Sequence, residues 1–563
     1  MVTLENLTIV DVLKKAVTDY PNNIASSSVD GNAITYSEFN NKVQQISNFL
    51  KEQGIVSGDR VSIISENSSN WGVTYFAITT MGAVVVPIMT EFQAADIHHL
   101  LRHSGSKAIF ISAKLYEKIE EFTNEELTTY ILIDDFSIIP HSQTTDLISK
   151  TLKEGKREFT KILDAALKLV GIKNEEVNED DLASIVYTSG TTGNSKGVML
   201  THKNIVFDAT ATLDFVDMNS KDRLLSQLPL AHTYECTLGL ITPIIVGASV
   251  YYLDRPPTAA VLLPALKKVK PTIVISVPLI IEKIYKMKVL PEINKKKVTR
   301  NLYKVPFLRK KINKVAGKKL QQTFGGELRL FPIGGAAIAP DVESFLIEAN
   351  FPYAIGYGLT ETSPLVTGTD NTKVRFKASG TELRDVEVKI NNKDEITGEG
   401  EVLIKGPNVM QGYYRDPEKT KEVFTEDGWF KTGDLGYVDE DGYLFLKGRS
   451  KNVIIGSNGK NIYPEEIESV INENSFVLES LVYGSENKII ARVHLNYEEL
   501  DGEMNSKNIT EAEARQKIDL FLDELLKDVN SKVSSFSKIN KIIEQPEPFE
   551  KTPTKKIKRY LYG

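Results

Sequence analysis

The chain has 563 residues, a formal net charge of −7 and an isoelectric point near 5.8. This length exceeds what one hydrophobic core supports, so a large domain with a smaller one is expected. The acidic balance argues against nucleic acid as the main partner. Cys236 is the single cysteine, which excludes an internal disulfide and fits a reducing compartment.

The sequence carries neither of two signals for export or membrane insertion. The opening residues, Met1 to Asn6, are mixed rather than basic and apolar. No charge-free apolar stretch reaches the length of about 18 residues that a bilayer span needs. We expect a cytoplasmic protein.

Short apolar runs alternate with amphipathic stretches in the first part of the chain. The runs 60–64, 83–87 and 108–111 predict buried strands in α/β layers. The polar stretch 150–181 surrounds an apolar segment, 162–172, and predicts a surface helix that connects to the next strand.

Residues 187–197 form a hydroxyl- and glycine-rich loop that ends in a lysine. Glycines allow successive N–H groups to point at one anion, hydroxyls add donors, and a lysine supplies a charge for phosphate. The candidate phosphate ligands are Thr188, Ser189, Gly190, Thr191, Thr192, Gly193 and Lys196.

A Walker loop is the nearest competing interpretation. It needs a glycine directly before the lysine, and a helix after the loop. Here Ser195 precedes Lys196, and the apolar run 198–200 predicts a second strand. A flexible linker is disfavoured because apolar runs both enter and leave the loop.

The loop resembles the signature of the adenylate-forming superfamily, which includes acyl-CoA synthetases, aryl-CoA ligases, luciferases and adenylation domains of peptide synthetases. Four later segments match that family in order: 356–362, 431–434, 448–452 and 552–559. Taken alone, each has an ordinary explanation as a turn, a solvated strand end or a basic tail. Five segments in the family's order make coincidence improbable.

The resemblance implies an α/β fold, with a large multi-layer N-terminal domain of adenylate-forming type and a small mobile α+β C-terminal domain. We place the domains at 1–448 and 449–563, because the hydrophobic pattern restarts at 452–455 and a helix is predicted from about Pro464. The resemblance puts the hinge at Lys451.

The same resemblance implies the nucleotide-site residues. Tyr357 would lie against adenine, Glu361 with Thr188 would bind Mg²⁺, and Asp434 with Arg449 would bind the ribose. The implied nucleotide and co-substrate ligands further include Gly334, Gly335, Ala336, Gly358, Thr360, Lys451 and Gly459.

In the implied reaction, a carboxylate attacks the α-phosphate of ATP, while Mg²⁺ and Lys556 offset the charge that builds up. No protein nucleophile is required. The small domain then turns about Lys451 and presents residues 456–461, so that the acyl-adenylate meets coenzyme A. Lys555 is the competing lysine, because family members more often carry a small or apolar residue at its position.

Two other residues have competing interpretations. Cys236 could be a thioester-forming nucleophile, but no base lies in a recognisable partner motif, so we expect a packed residue. His232 could be structural, but it matches the family's acyl-pocket segment and is assigned to the active site.

His232 also bears on the substrate. Amino-acid-activating members are expected to carry an aspartate there, so an uncharged acyl chain fits better. Small and apolar residues at 334–337 and 355–366 are candidate pocket walls. The segment 458–464 resembles long-chain members, which favours a medium- or long-chain fatty acid, and the chain end, seven residues after Lys556, favours a stand-alone ligase.

Several alternatives stay open. The adenylate could pass to acyl carrier protein instead of coenzyme A. A non-catalytic nucleotide-regulated protein would predict loss of Lys556 or Glu361, and a phosphate-transferring kinase would predict a Walker loop. The basic stretch 281–320, with 14 Lys/Arg and two acids, could contact a membrane or be a solvated face. A homodimer is also an open expectation.

Overall fold

The computed structural model describes residues 3–139, 176–189, 195–456, 460–486, 488–497, 500, 511–552 and 556–563. Its helices are α1 Ile9–Asp19, α2 Tyr36–Glu52, α3 Ser69–Thr80, α4 Ala94–Ser104, α5 His202–Ala211, α6 Thr233–Glu235, α7 Thr242–Val246, α8 Ala259–Val269, α9 Pro278–Ile284, α10 Leu290–Asn294, α11 Lys297–Tyr303, α12 Pro306–Thr323, α13 Pro340–Ala349, α14 Pro417–Val423, α15 Pro464–Asn472 and α16 Glu511–Lys532. Two π-helical segments, Cys236–Ile241 and Tyr285–Val289, lie between α6 and α7 and between α9 and α10.

The strands are β1 Ile24–Ser28, β2 Ile34–Thr35, β3 Arg60–Ile64, β4 Val84–Pro87, β5 Ser106–Ile111, β6 Thr129–Leu132, β7 Ser137–Ile139, β8 Leu182–Ser189, β9 Ser195–Thr201, β10 Arg223–Ser226, β11 Ser249–Tyr252, β12 Phe331–Ile333, β13 Tyr353–Gly358, β14 Leu365–Gly368, β15 Thr381–Glu382, β16 Glu387–Asn391, β17 Gly400–Lys405, β18 Gly412–Tyr413, β19 Phe430–Val438, β20 Leu444–Arg449, β21 Ile454–Ile455, β22 Asn461–Ile462, β23 Val477–Ser485, β24 Lys488–Leu495 and β25 Lys541–Glu544. The predicted strands at 60–64, 83–87 and 108–111 are confirmed as β3, β4 and β5. The predicted connecting helix at 162–172 lies outside the described residues.

The first part of the chain builds three sheets. An eight-stranded sheet has the order β18-β9-β8-β4-β3-β5-β6-β7, and its central strands β8, β4, β3, β5 and β6 run parallel. Two four-stranded sheets have the orders β10-β11-β1-β2 and β12-β13-β14-β15. Burial on both faces of a parallel sheet explains why β4 is apolar throughout and why β3 is apolar apart from Arg60 and Ser62.

Side-chain caps fix where several helices begin. Thr8 accepts a hydrogen bond from the Asp11 N–H at the start of α1. Thr35 and Glu38 form a reciprocal capping box at α2. These caps satisfy backbone donors that have no partner inside the helix. The helices α1 to α3 then bury apolar faces around the fully buried Trp71.

A fourth sheet, β16-β17-β19-β20, is antiparallel and leads into the last part of the chain. There β23, β24 and β25 form a three-stranded sheet, and α15 and α16 share a core with it through residues such as Ile471, Val482 and Val529. The expected large α/β part followed by a small α+β part is confirmed, while the exact boundary at 448/449 stays a prediction. Within the described ranges, no helix combines the length and apolarity that crossing a bilayer requires.

Candidate active site

The hydroxyl- and glycine-rich segment 187–197, called here the phosphate loop, connects two antiparallel strands. β8 and β9 pair through Thr188 opposite Lys196 and Ser189 opposite Ser195. The predicted strand after the loop is confirmed, and the helix of a Walker loop is not found at that position. Residues 190–194, which include four of the predicted phosphate ligands, and the Ser189 side chain lie outside the described part of the chain.

Lys196 and Glu361 meet through an aromatic residue. The Tyr413 hydroxyl donates a hydrogen bond of 2.9 Å to Glu361 Oε1, and the Lys196 ammonium lies 4.8 Å from the centre of the same ring. Glu361 belongs to a 3₁₀ turn, Thr360–Thr362, that follows β13. The structure therefore brings together a predicted phosphate ligand and the predicted metal ligand.

Nearby charges act on Lys196. Burial lowers the pKa of its ammonium most, Lys419 and Lys451 lower it further, and Glu361 and Asp416 oppose them. Three lysines thus lie close enough to repel one another, and an anion such as a polyphosphate would relieve that repulsion.

Tyr413 was not among the residues predicted from the sequence. It lies on β18, a two-residue strand that pairs with β9, so Tyr413 faces Val198 from more than 200 positions away. The sequence offers only a short Gly-Tyr-Tyr segment there, and such a segment carries no signal for a long-range pairing.

A second group of charged residues is formed by neighbouring strands. Asp434 on β19 pairs with Arg449 on β20, and Arg449 Nε lies 2.8 Å from Asp434 Oδ1. The Tyr357 hydroxyl donates a 2.6 Å hydrogen bond to Asp434 Oδ2. Burial raises the pKa of the Asp434 carboxyl, against the opposing effects of Arg449 and Tyr357.

This arrangement refines the role predicted for Tyr357. Its hydroxyl holds Asp434, while its ring is buried beside the end of β13. Each Asp434 oxygen has one identified partner, and a carboxylate oxygen accepts about two hydrogen bonds. Asp434 therefore retains the capacity to accept ribose hydroxyls, which is the role that stays a prediction.

Three of the predicted glycines differ in how tightly the backbone around them is packed. A Cβ on Gly358 would stand 1.7 Å from the Pro364 carbonyl oxygen, so only glycine fits there. Gly335 has φ of 87°, in the left-handed region that favours glycine. A Cβ on Gly334 would lie 3.2 Å from the Tyr234 ring, whereas Ala336 is exposed in the same loop.

Lys556, from the far end of the chain, reaches the same site. Lys556 keeps solvent access, yet the protein around its ammonium lowers its pKa, as does Arg449, while Asp434 and Glu361 raise it. The four charged side chains are thus within electrostatic reach of one another. The structure brings Lys556 toward Glu361 and Asp434, and their roles in the reaction stay predictions.

Two ion pairs anchor the turn that carries Lys556. Arg559 binds Glu468 on α15 at 2.5 Å, and Lys551 binds Glu479 on β23. The Lys556 N–H also donates to the Thr552 hydroxyl. Lys555 lies outside the described residues, so the competition between the two lysines stays a prediction.

His232 stands at the start of α6. Its Nδ1 accepts a hydrogen bond from the Tyr234 N–H at 3.2 Å, so the proton of the neutral ring belongs on Nε2. Burial and then the charge of Lys556 lower the pKa of His232 to about 4. The ring is neutral near pH 7 and lies within electrostatic reach of Lys556.

Cys236 shows no catalytic features. It is buried at the start of the π-helical segment, and burial raises the pKa of its thiol to about 12. The thiolate required of a nucleophile is therefore absent near neutral pH.

Lysines clustered near Glu361, together with Lys556 and Arg449 near Asp434, are the arrangement expected of an adenylate-forming ligase. The chain belongs to the AMP-binding enzyme family, whose model matches residues 13–414, and the AMP-binding enzyme C-terminal domain matches 451–561. It is a ligase of the AMP-forming acyl-CoA synthetase family and a member of the adenylate-forming superfamily.

Relatives with named substrates are similar over most of their length. A long-chain-fatty-acid–CoA ligase from Mycobacterium bovis is 28% identical over 93% of this chain and 90% of its own. Fatty acyl-CoA synthetase B from Dictyostelium discoideum is 29% identical over 94% and 83%. A chloroplastic long-chain-fatty-acid–[acyl-carrier-protein] ligase from Arabidopsis thaliana is 26% identical over 82% and 72%.

Solved structures share the fold. ATP-bound MatB from Rhodopseudomonas palustris matches with a TM-score of 0.76 and 24% identity, over 99% of this chain and 98% of that one. The O-succinylbenzoate coenzyme A synthetase of Bacillus subtilis, in complex with ATP and magnesium ion, matches with a TM-score of 0.74 and 22% identity over 98% of both chains. At these identities the likeness establishes the fold alone.

Proposed function

We propose that the protein activates a medium- or long-chain fatty acid with ATP to an acyl-adenylate and transfers the acyl group to coenzyme A. The observation that supports a fatty acid as the substrate is an apolar cavity of about 40 Å³. None of the described residues that line it is charged, and they include Phe215, Met218, Leu238, Ile273, Ile275 and Ile355.

The cavity adjoins the nucleotide residues. Tyr234, two positions after His232, lines it, and so does Gly356, next to Tyr357. An unpaired charge would be costly in such surroundings, whereas a hydrocarbon gains from leaving water. In the proposed complex, the acid's carboxylate lies near His232 and the first part of its tail lies in this cavity, which must widen to admit a medium or long chain.

The residues present suit ATP with Mg²⁺. Magnesium is commonly held by one or two carboxylates together with substrate phosphates. Glu361 offers such a carboxylate, since one of its oxygens accepts from Tyr413 and none of the described residues binds the other, and Thr188 offers a hydroxyl. When bound there, Mg²⁺ would offset phosphate charge as a Lewis acid.

The protein's own residues act mainly by position and charge. Lys196 attracts the phosphates, Asp434 holds the ribose hydroxyls and neutral His232 directs Nε2–H toward the acid. Lys556 stabilises the charge that develops as the carboxylate oxygen bonds to the α-phosphorus and pyrophosphate leaves. The same adenylate could be passed to acyl carrier protein, and this acceptor is the alternative.

Exchange of labelled pyrophosphate into ATP, measured without a thiol across short, medium, long and aromatic acids, tests the first step. We expect exchange with aliphatic acids of medium or long chain. Val216→Phe, which fills the cavity, should shift the preference toward shorter acids, and Val216→Ala should do the opposite. Exchange with aromatic or short dicarboxylic acids alone would overturn the fatty-acid assignment.

Adding either acceptor to the loaded enzyme tests the second step. Release of AMP and formation of acyl-CoA are expected with coenzyme A. If the acyl group is transferred to purified acyl carrier protein and not to coenzyme A, the carrier protein is the acceptor. No exchange with any acid, in protein that binds ATP, would favour a nucleotide-regulated binding protein.

A further inference from the structure

The positive charge of this acidic chain is concentrated in one stretch. Residues 281–320 hold fourteen Lys or Arg and two acids, which gives this stretch +12. Because the whole chain carries −7, the remainder carries −19. Such a separation of charge favours an anionic partner at this stretch rather than uniform solvation.

Exposed apolar side chains are concentrated in the same region. Of the eighteen exposed large apolar side chains in the described part of the chain, seven lie between residues 279 and 315. Phe307 is 66% exposed and Val298 is 70% exposed. Water disfavours such side chains, and a cluster of them marks an interaction surface.

The helix α12 has one buried face and one exposed face. Asn313, Gly317 and Leu320 are buried, and Arg309 binds Glu348 of α13 at 2.6 Å. A Cβ on Gly317 would stand 2.8 Å from Ala349, so the two helices pack closely. α12 is therefore fixed on the body of the protein, with its opposite side toward solvent.

We call that opposite side, together with α11, the basic outer face. In α12 it consists of residues at helical spacing, all exposed: Phe307, Lys310, Lys311, Lys314, Val315 and Lys318. In α11, where no residue is buried, it includes Lys297, Val298, Arg300 and Leu302. Among the residues that the structure describes, none forms an ion pair with Lys310, Lys311, Lys314 or Lys318.

We propose that the basic outer face docks the protein on an anionic lipid surface. Lysine ammonium groups would lie at the headgroup phosphates, and Phe307, Val315, Val298 and Leu302 would enter the boundary of the acyl chains. The Lys311 ammonium already lies 4.5 Å from the centre of the Phe307 ring, which keeps charge and apolar surface on the same side.

A lipid surface fits better than an acidic protein. An acidic protein would form ion pairs with the lysines. It would also need apolar side chains placed to contact each of the four exposed apolar residues of this face. A bilayer interface accommodates apolar and cationic groups together without such a match. Val274 belongs to the same core cluster as Leu320 of α12, while its neighbours Ile273 and Ile275 line the proposed fatty-acid cavity.

Flotation of the intact protein with vesicles tests the proposal. One set of vesicles contains phosphatidylcholine alone and the other adds phosphatidylglycerol. We expect the wild type to float only with the anionic vesicles, and less so at high salt, because the charges are screened. Lys310→Glu, Lys311→Glu, Lys314→Glu and Lys318→Glu, combined, should weaken binding at least about tenfold, given the contribution of each lysine near a membrane.

Two further variants make the result specific. The matched control combines Lys393→Glu, Lys488→Glu, Lys527→Glu and Lys538→Glu, exposed lysines elsewhere, and should bind like the wild type despite the same net charge change. Phe307→Ser with Val315→Ser leaves the charge unchanged and should also weaken binding. This variant keeps the test decisive if the fourfold reversal fails to fold.

Equal binding of all variants, or flotation of none, would overturn the proposal. The wild type could instead bind purified acyl carrier protein and no vesicles, with that binding lost in the fourfold lysine variant. This result would assign the face to a protein partner. Pyrophosphate exchange with a dissolved acid should be unchanged in every variant. A failed flotation with normal exchange would therefore leave the proposed function intact.

Discussion

At the scale of single residues, Lys556 is the group on which the adenylation step depends most. Lys556→Ala should reduce pyrophosphate exchange by about 100-fold or more, since removing one preorganised stabilising group commonly costs that much. Lys555→Ala is the control and should retain exchange. A loss in Lys555→Ala with activity kept in Lys556→Ala would reverse the assignment of the two lysines.

The pH dependence of exchange follows from the same residue. Burial lowers the pKa of Lys556 from 10.5, so its ammonium loses the proton at a lower pH than an ordinary lysine. Exchange should therefore be full below that pKa and fall as the pH rises, with a midpoint below 10.5. A profile that stays flat through the alkaline range in a stable enzyme would contradict this role.

Tyr413 offers a second test at this scale. Its hydroxyl orients Glu361 and its ring lies under Lys196. Tyr413→Phe removes only the hydrogen bond and should raise the KM for Mg²⁺–ATP about tenfold, as expected for a hydrogen bond to a charged group. Tyr414→Phe is the neighbouring control and should leave this KM unchanged. An equal effect of the two substitutions would show that the Glu361 contact is unimportant.

At the scale of elements, the packing of α12 on α13 makes a stability prediction. Gly317→Val would place new atoms against Ala349, where a Cβ alone stands 2.8 Å from the Ala349 side chain and backbone. Overpacking of this kind costs about 1–3 kcal/mol. Urea denaturation should show that loss, with Lys318→Val on the exposed side as the control. An unchanged midpoint for Gly317→Val would mean that the two helices separate easily.

Local patterns predicted the elements, and long-range pairings escaped prediction. The hairpin of β8 and β9 follows from two apolar runs around a loop, and β3 to β5 follow from short, mainly apolar runs. The two-residue strand β18 has no pattern of its own, so the position of Tyr413 depends on tertiary pairing that no local signal encodes. The nucleotide-site residues could be named because a family resemblance supplied their roles.

At the scale of the whole molecule, polar contacts join the large part of the chain to the small C-terminal part. The Lys286 ammonium donates a 2.6 Å hydrogen bond to the Asn472 carbonyl at the end of α15. Tyr463 donates to Glu399 at 2.7 Å. A cation at a helix C-terminus is favourable, because the last carbonyls lack partners and the helix dipole is negative there.

This arrangement places Lys556 beside Glu361 and Asp434, so Lys286 should favour adenylation. The predicted turn of the small domain about Lys451, which would precede thioester formation, would carry Asn472 away from Lys286. Lys286→Met should then slow pyrophosphate exchange about two- to fivefold, the range expected for a charge at a helix end. It should spare thioester formation from acyl-adenylate supplied ready-made, because that step no longer needs the contact.

Lys288→Met is the matched control, two positions away and exposed. It removes the same charge from the same π-helical segment without touching α15, so both half-reactions should stay at wild-type rates. Equal slowing of exchange and thioester formation by Lys286→Met would point to a general loss of structure. Selective slowing of thioester formation would mean that this contact belongs to the other arrangement of the domains.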